Sequence, residues 1–236
     1  MTIPPVFHVT TKDKQDLRPS FRSNLDRMRR FYPDHEIRIH DDDDILDFLR
    51  RHHARYFDDV IQRMPSFIMV VDTVRYAWMS SFGGVYADLD IRLNRALPLR
   101  APVVLVEREW TWPQDDAITD SVHNCFFASE QGHPVWDDLL TGIAAKVQAL
   151  PSRRPSRLER RVVRSLRRRL HRPVVDPVFT TTGPNAISQI ITRGRLLQRH
   201  PDVLVEPASV LFQQNFSKRP AGPEFMVHET AGSWAG

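Results

Sequence analysis

The stretch Ser81-Phe82-Gly83-Gly84-Val85-Tyr86-Ala87-Asp88-Leu89-Asp90-Ile91-Arg92-Leu93 decides how the rest of the chain is interpreted. It follows a long apolar helical pattern, and its two adjacent glycines predict a turn. The apolar residues from Val85 to Leu93 predict one buried strand that carries two aspartates. Because successive side chains of a strand point to opposite faces, Asp88 and Asp90 are expected on the same side.

Two carboxylates set into apolar sequence are costly unless a positive charge neutralises them. A divalent cation, Mn²⁺ or Mg²⁺, is the expected cofactor because hard cations prefer oxygen ligands. The alternative is structural: the two acids cap turns or pair with arginines. A bare Asp-x-Asp pattern would favour this alternative, so the surrounding sequence has to decide.

The surrounding sequence resembles the DXD glycosyltransferases, most closely glycosyltransferase family 32. This family includes yeast-type initiating mannosyltransferases and many bacterial polysaccharide and lipid glycosyltransferases. The most specific match is Gly-Gly-x-Tyr-x-Asp-x-Asp at residues 83–90, after a buried helix from Pro65 to about Phe82 that carries Asp72 and Arg75 on one face. Further matches extend along the chain: His8, Asn124 ahead of Gly132-His133-Pro134, Thr182-Gly183-Pro184, and the closing His228, Ser233 and Trp234.

The resemblance implies a hexosyltransferase that moves a hexose from a nucleoside-diphosphate sugar to a hydroxyl acceptor, a glycan or lipid-linked glycan, with retention of configuration. It assigns the metal to Asp88, Asp90 and His228, and catalytic roles to Asp72, Arg75, Asp88 and Asp90. It assigns donor contacts to His8, Asp72, Arg75, Tyr86, Asn124, Ser233 and Trp234. Some of these residues also have a structural interpretation: His8 as a core histidine, Asp72 and Arg75 as an intrahelical ion pair, and Asn124 as an amide bonded to the backbone. The Thr182-Gly183-Pro184 match can likewise be explained as the start of a helix.

The 236 residues predict one α/β domain, 1–236, of the GT-A type, with a central, mostly parallel sheet flanked by helices. Strands are expected at Ile3 to Val9 and Glu36 to His40, and again at residues 103–106 and 122–129. Pro177 to Thr182 is expected as a strand, and Thr182 as the N-cap of the helix from Ala186. The acidic run 41–44 is predicted to cap the helix from Ile45 rather than to form a second metal site.

Composition excludes several classes of protein. Cys125 is the only cysteine, so an intramolecular disulfide framework and a cysteine zinc site are excluded, and a reducing cytoplasm is favoured. No apolar run approaches 18 residues, so no transmembrane helix is predicted, and the N-terminus does not resemble a signal peptide. The expected location is the cytoplasm, with a peripheral position on the inner face of the membrane left open.

The positive charge of the chain is concentrated in one segment, residues 153–172. It holds ten arginines and one glutamate, a net charge of +9, so the rest of the chain carries −5 of the total of +4. Leucines and valines spaced among the arginines predict a basic amphipathic helix. Packing on the body and binding to an anionic membrane surface are left as equal alternatives. Nucleic acid is not expected as a partner, because no aromatic residue lies between the arginines to stack on bases.

Two other functions stay open at this point. A non-catalytic basic adaptor at a membrane surface would use the acids structurally and would bind no nucleotide sugar. A nucleotide-sugar hydrolase would release free sugar without an acceptor. A loop with Trp110 and Trp112 offers two tryptophans that could stack on a sugar or pack on a neighbouring helix. Donor, acceptor, linkage and oligomeric state are not determined by the sequence.

Overall fold

The computed structural model describes residues 2–109, 111, 115–151, 176–214, 222 and 224–229. Nine strands are present in these residues: β1 (Val6–Thr10), β2 (Glu36–His40), β3 (Gly84–Ala87), β4 (Ile91–Leu93), β5 (Val103–Val106), β6 (Phe126–Ser129), β7 (Val203–Glu206), β8 (Leu211–Gln213) and β9 (Met226–His228). Six of them form a central sheet in the order β2-β1-β3-β6-β5-β7, and the other three form a small sheet in the order β4-β9-β8.

The central sheet is mostly parallel, as predicted. β1 runs parallel to both β2 and β3, and β5 runs parallel to β7. β6 alone runs antiparallel to its neighbours β3 and β5. The helices between the strands supply the crossover connections that parallel strands require.

The described helices are α1 (Pro19–Phe31), α2 (Asp42–His52), α3 (Ala54–Asp59), α4 (Phe67–Ser81), α5 (Val135–Gln148), α6 (Pro177–Thr181), α7 (Pro184–Gly194) and α8 (Leu196–Arg199). Short 3₁₀ turns lie at Ile61–Arg63 and Ala208–Val210. In the part of the chain that the structure describes, no helix is long and apolar enough to span a membrane.

The central sheet is covered on both faces, because alternate residues of its strands enter two separate hydrophobic clusters. Val85 and Ala87 of β3 pack in a cluster with residues of α1. Tyr86 points the other way and packs in a cluster with Trp78 of α4 and Trp136 of α5. Burial of such large side chains stabilises the sheet and determines which face of β3 packs against α4 and α5.

The α4–β3 turn depends on its two glycines. Gly83 has φ of 65°, and its amide donates to the carbonyls of Trp78 and Met79, which ends α4. Gly84 has φ of 96°, and a Cβ there would lie 2.6 Å from the carbonyl oxygen of Val6 on β1. Only glycine allows β3 to start this close to β1.

The prediction of one strand through Val85 to Leu93 was wrong. β3 ends at Ala87, and the amide of Ile91 donates to the carbonyl of Asp88 at 2.9 Å, which closes a turn. The chain then enters the small sheet as β4, which pairs with β9. Asp88 and Asp90 therefore lie in a turn between two sheets, where a polar side chain is easier to accommodate than within a ladder.

Three other sequence predictions need correction. Residues 177–181 form helix α6 rather than a strand, because Asp176 caps the amide of Val178 and proline occupies the first helical position. The strand expected at 122–129 begins only at Phe126. Gly183, not Thr182, is the N-cap of α7, since the hydroxyl of Thr182 donates to Asp72 instead.

The prediction for the acidic run was confirmed in kind. Asp41 caps α2, and its carboxylate and that of Asp44 form a reciprocal capping box with each other's amides. The helix begins at Asp42, three residues before the expected Ile45. Lys14 forms ion pairs with Asp41 and Asp44. The run therefore has a full structural explanation.

Candidate active site

The candidate active site begins at the turn that follows β3. The amide of Asp88 donates to the carbonyl of Cys125 at 2.9 Å, which ties this turn to the segment that leads into β6. The side chain of Asp88 is 25% exposed and that of Asp90 is 10% exposed. The site thus lies at the carboxyl end of β3, where ligands bind in open α/β sheets.

His228 joins the two aspartates through the pairing of β4 with β9, which places it opposite Ile91. One ligand atom each of Asp88, Asp90 and His228 lies within 4.8 Å of the others. His228 Nε2 is 3.3 Å from Asp90 Oδ1, and its Nδ1 is 3.3 Å from Gln213 Nε2. Among the described residues, this is the one group of histidine, cysteine and acidic side chains with such a spacing.

The chemistry of these three residues suits a divalent cation. Two carboxylates and an imidazole are suitable ligands for Mn²⁺, and the carboxylates also suit Mg²⁺. Burial raises the pKa of Asp88, although Arg75 opposes the shift. Burial alone would lower the pKa of His228, but the neighbouring sulfur of Cys125 and carboxylate of Asp90 outweigh it, so its pKa is raised. In the absence of a cation, the imidazolium thus balances part of the negative charge.

Arg75 and Asp72 lie beside this cluster on α4 and are both buried. Arg75 forms ion pairs with Asp72 at 3.2 Å and with Asp88 at 3.3 Å, and its guanidinium lies 4.6 Å from the ring centre of Tyr86. Burial raises the pKa of Asp72 to about 6, although Arg75 opposes the shift. The pair therefore belongs to one network with the turn that carries Asp88 and Asp90, called the DXD turn below, rather than to the surface of a helix.

Asn124 is part of the same network. Its side-chain amide donates to Asp72 Oδ1 at 3.1 Å, and its backbone carbonyl accepts from Arg75 at 2.7 Å. On the other side, the hydroxyl of Thr182 donates to Asp72 Oδ2 at 3.0 Å. Asp72 is thus held by three residues that come from α4 and from the segments before β6 and before α7.

Tyr86 and His8 lie below the site rather than at its surface, and both are fully buried. The hydroxyl of Tyr86 donates to Asp88 Oδ1 at 2.5 Å. His8 stacks on Trp78, and its Nδ1 is 3.1 Å from Nε2 of His40. In this state Tyr86 and His8 support the site from within the core, and direct contact of either with a donor stays a prediction.

Several sequence predictions fall outside the described residues. These are the donor contacts Ser233 and Trp234, the two loop tryptophans Trp110 and Trp112, and the basic segment 153–172. Their assignments stay predictions from the sequence.

The structure also adds residues that the sequence reasoning missed. Thr182, predicted to be a helix cap, donates a hydrogen bond to Asp72. Cys125 is buried beside His228 and Asp88, and burial raises the pKa of its thiol. Arg108 is buried at the end of β5. The match of Gly183-Pro184 could have pointed to Thr182, but nothing in the sequence distinguishes Arg108 from the many surface arginines.

Comparisons with known proteins match parts of this chain. Residues 19–111 match the family described as the glycosyltransferase sugar-binding region containing the DXD motif. A curated relative, inositol phosphoceramide mannosyltransferase 1 from Schizosaccharomyces pombe, is 28% identical over 136 residues, which are 56% of this chain and 40% of the relative. The chain thus spans about two fifths of the length of that relative.

The fold has a counterpart among solved structures. The structure titled PaToxG Glycosyltransferase superposes with a TM-score of 0.52 at 14% identity, and the match covers 84% of this chain and 70% of that one. At this identity the likeness concerns the fold alone, a mixed α/β arrangement of the GT-A type. The matched sugar-binding region, residues 19–111, includes both the Asp72–Arg75 pair and the turn with Asp88 and Asp90.

Proposed function

We propose that this chain transfers a hexose from a nucleoside-diphosphate sugar to a hydroxyl group of a glycan or lipid-linked glycan, with the help of Mn²⁺ or Mg²⁺. The observation that carries the proposal is the convergence of Asp88, Asp90 and His228 next to the buried Asp72–Arg75 pair. The name of the curated relative, an inositol phosphoceramide mannosyltransferase, supports a hexose donor and a lipid-linked acceptor.

Asp88, Asp90 and His228 would hold the cation. When bound, it would supply positive charge that stabilises the departing nucleoside diphosphate. Arg75 would add a second, permanent positive charge, fixed in place by Asp72 and by the carbonyl of Asn124. Because these partners are buried and already oriented, little reorganisation is needed when the diphosphate leaves.

Asp72 would bind hydroxyl groups of the sugar. Its Oδ2 accepts one hydrogen bond, from Thr182, and a carboxylate oxygen can accept another. The raised pKa of about 6 leaves this carboxylate ionised at pH 7. Asn124, which donates to the other oxygen, would contact the same sugar.

Retention of configuration is proposed to result from front-face transfer. In this step the bond between the anomeric carbon and the phosphate oxygen breaks, a bond between the anomeric carbon and the acceptor oxygen forms, and the departing phosphate takes the proton of the acceptor hydroxyl. The described carboxylates of the site support this route, since Asp72 and Asp88 are bound by Arg75 and Asp90 is bound by His228. A carboxylate held in such pairs is a poor nucleophile.

The proposal is tested by turnover of the Asp88→Asn variant. Wild-type protein with Mn²⁺, a matching donor and an acceptor should release nucleoside diphosphate and form a glycosylated product. Asp88→Asn removes a ligand charge and should reduce turnover by about 100-fold or more, the scale of losing one key electrostatic contact. Asp59→Asn, at an exposed site on α3, is the matched control and should keep full activity.

Two outcomes would contradict the proposal. Full turnover by a folded Asp88→Asn variant would contradict the metal assignment. Release of free sugar at the same rate with and without any acceptor would identify a hydrolase. The third possibility, an adaptor acting through residues 153–172, concerns a segment outside the described residues, so its membrane binding stays a prediction.

A further inference from the structure

Arg108 is a buried positive charge that the site described so far does not use. It follows β5, and only 7% of its surface is exposed. Its Nε donates to Ser121 Oγ at 3.2 Å, and one of its terminal nitrogens donates to Asn185 Oδ1 at 2.6 Å. Both partners are neutral. Burying a guanidinium with neutral partners alone is unfavourable, and burial lowers the pKa of Arg108 to about 10.

The comparison with Arg75 shows what Arg108 lacks. Arg75 is buried to a similar degree, but Asp72 and Asp88 form ion pairs with it. Among the described residues, no carboxylate forms an ion pair with Arg108. An arginine has five N–H donors, and two of those of Arg108 are used by Ser121 and Asn185, which leaves three for another partner. The remaining N–H donors of Arg108 therefore suit an anion with at least two acceptor oxygens.

Arg108 lies in the neighbourhood of the candidate active site. Asn185, which accepts the shorter of these two hydrogen bonds, is the second residue of α7. Gly183, the N-cap of this helix, lies next to Asp72, because a Cβ added to Gly183 would be 3.5 Å from Asp72 Oδ2. The carbonyl of Cys125 accepts a hydrogen bond from the amide of Asp88, and the side chain of Cys125 lies close enough to Arg108 to affect its pKa. The positive end of α7 adds a favourable field for an anion at the same place.

We propose that Arg108 binds a phosphate group of a substrate in this site. This inference rests on the proposed function, which brings phosphate to the site as the diphosphate of the donor. The planar fork of a guanidinium matches two phosphate oxygens, and a phosphate supplies the negative charge that Arg108 does not receive from any described carboxylate. The phosphate has two chemical sources, the diphosphate of the donor or a phosphate on the acceptor.

Calorimetric titration of four proteins tests this inference. These are the wild type, Arg108→Gln, Arg108→Lys, and Arg100→Gln, an exposed arginine before β5 that serves as the matched control. The first arm measures UDP or GDP binding in the presence of Mn²⁺. The second measures inorganic phosphate binding to protein saturated with the same nucleotide, which represents a phosphate on the acceptor.

Arg108→Gln should weaken binding by about 10- to 100-fold in one arm, the scale of a charged hydrogen-bond pair, and that arm identifies the source. Arg108→Lys keeps the charge but loses the fork, so it should show a smaller loss in the same arm. Arg100→Gln should match the wild type. If Arg108→Gln fails to fold, Arg108→Lys carries the test.

Unchanged affinity of the folded Arg108 variants in both arms would overturn the inference and leave Arg108 as a structural link between β5 and α7. A wild type that binds neither nucleotide would contradict the proposed function instead. In that case phosphate binding to the nucleotide-free protein decides the role of Arg108, because loss of that binding in Arg108→Gln supports it and unchanged binding overturns it.

Discussion

Asp72 is the residue on which the polar contacts of the candidate site converge. Arg75, Asn124 and Thr182 all contact it, and they come from separate parts of the chain. Because Asp72 is buried, each contact compensates part of the cost of removing its charge from water. Asp72 links α4 to Thr182, which lies just before α7. The pattern Asp-x-x-Arg therefore does not by itself separate a functional role of Asp72 from a structural one.

Replacement of Thr182 by valine tests this network. The change keeps the shape of the side chain but removes the hydroxyl that donates to Asp72 Oδ2 at 3.0 Å. We expect a loss of about 1 kcal/mol in the free energy of unfolding, measured with urea at pH 7, because one buried hydrogen bond is lost. The pKa of Asp72 should rise further above 6, since one contact that favours its charged form is missing.

Thr180→Val is the control for Thr182→Val, because the Thr180 hydroxyl makes only an exposed contact with a backbone carbonyl. It should change the free energy of unfolding by less than about 0.5 kcal/mol. Equal losses in the two variants would show that the bond to Asp72 contributes nothing specific.

At the scale of elements, the close approach of β1 and β3 decides where the DXD turn lies. Gly84 is the first residue of β3 and packs against the carbonyl of Val6, and Asp88 directly follows the last residue of β3. The second aspartate and His228 then depend on the pairing of β4 with β9. The cluster of possible ligands is thus assembled by two sheets.

Gly84→Ala should therefore destabilise the fold strongly. The new Cβ would lie 2.6 Å from the backbone of Val6, and φ of 96° is strained for alanine, so we expect a loss of about 3 kcal/mol or more in the free energy of unfolding. Gly132→Ala separates the two causes, because Gly132 also has positive φ but a Cβ there would meet its nearest atom at 4.0 Å.

The loss in Gly132→Ala should be only about 1 kcal/mol, the cost of the backbone conformation. Urea denaturation of both variants measures the difference. A loss in Gly84→Ala no larger than that in Gly132→Ala would contradict the steric explanation of the β1–β3 contact.

The sequence predicted most elements because their patterns are local. The apolar face of α4 and the glycine turn after it can be seen in consecutive residues. The break at Asp88–Asp90 could not be predicted from alternation, because the apolar pattern continues from one sheet to the other. Only the pairing of Ile91–Leu93 with Met226–His228, far along the chain, divides the pattern. The prediction of a strand at Pro177 to Thr182 was wrong because Asp176 and Pro177 form the start of a helix.

The sequence predicted those residues of the site that belong to a recognisable motif, but not those that are distinguished only by their burial in the fold. Asp72, Arg75, Asp88, Asp90 and His228 share a short-range or family pattern, and the structure brings them together. Arg108 stands between two glutamates, a pattern typical of a solvated surface. Its burial depends on Ser121 and Asn185, which are distant in sequence.

At the scale of the whole molecule, the stacked layer of aromatic rings and histidines under the site links stability to pH. His8 is buried and His40 half-buried within it, the two are hydrogen bonded to each other, and Trp78 stacks on both. Burial lowers the pKa of His8 to about 3 and that of His40 to about 4. Both imidazoles are therefore neutral in the folded protein at pH 7.

Acid should destabilise the protein through these two histidines. Below the unfolded pKa of 6.5 the unfolded chain binds protons that the folded protein does not, so stability falls as the pH decreases from 6.5 to about 4. Each histidine contributes a slope of at most about 1.4 kcal/mol per pH unit. His40→Gln should reduce the slope of unfolding free energy against pH by about one proton in this window.

His52→Gln is the control for the pH experiment, since His52 is exposed at the end of α2. Urea denaturation at several pH values between 4 and 7 gives the slopes. If His40→Gln and the wild type have the same slope, the His8–His40 pair is not the source of the acid sensitivity.

Asp88, Asp90 and His228 are proposed to hold a divalent cation that binds a nucleotide sugar. This claim can be tested by thermal melting with Mn²⁺ and a panel of UDP- and GDP-sugars, with and without EDTA. One nucleotide should raise the melting temperature by roughly 5 °C or more at saturation, because a ligand of the folded state stabilises it. EDTA or Asp88→Asn should abolish the shift. A shift that persists in EDTA, or no shift with any donor, would contradict the claim.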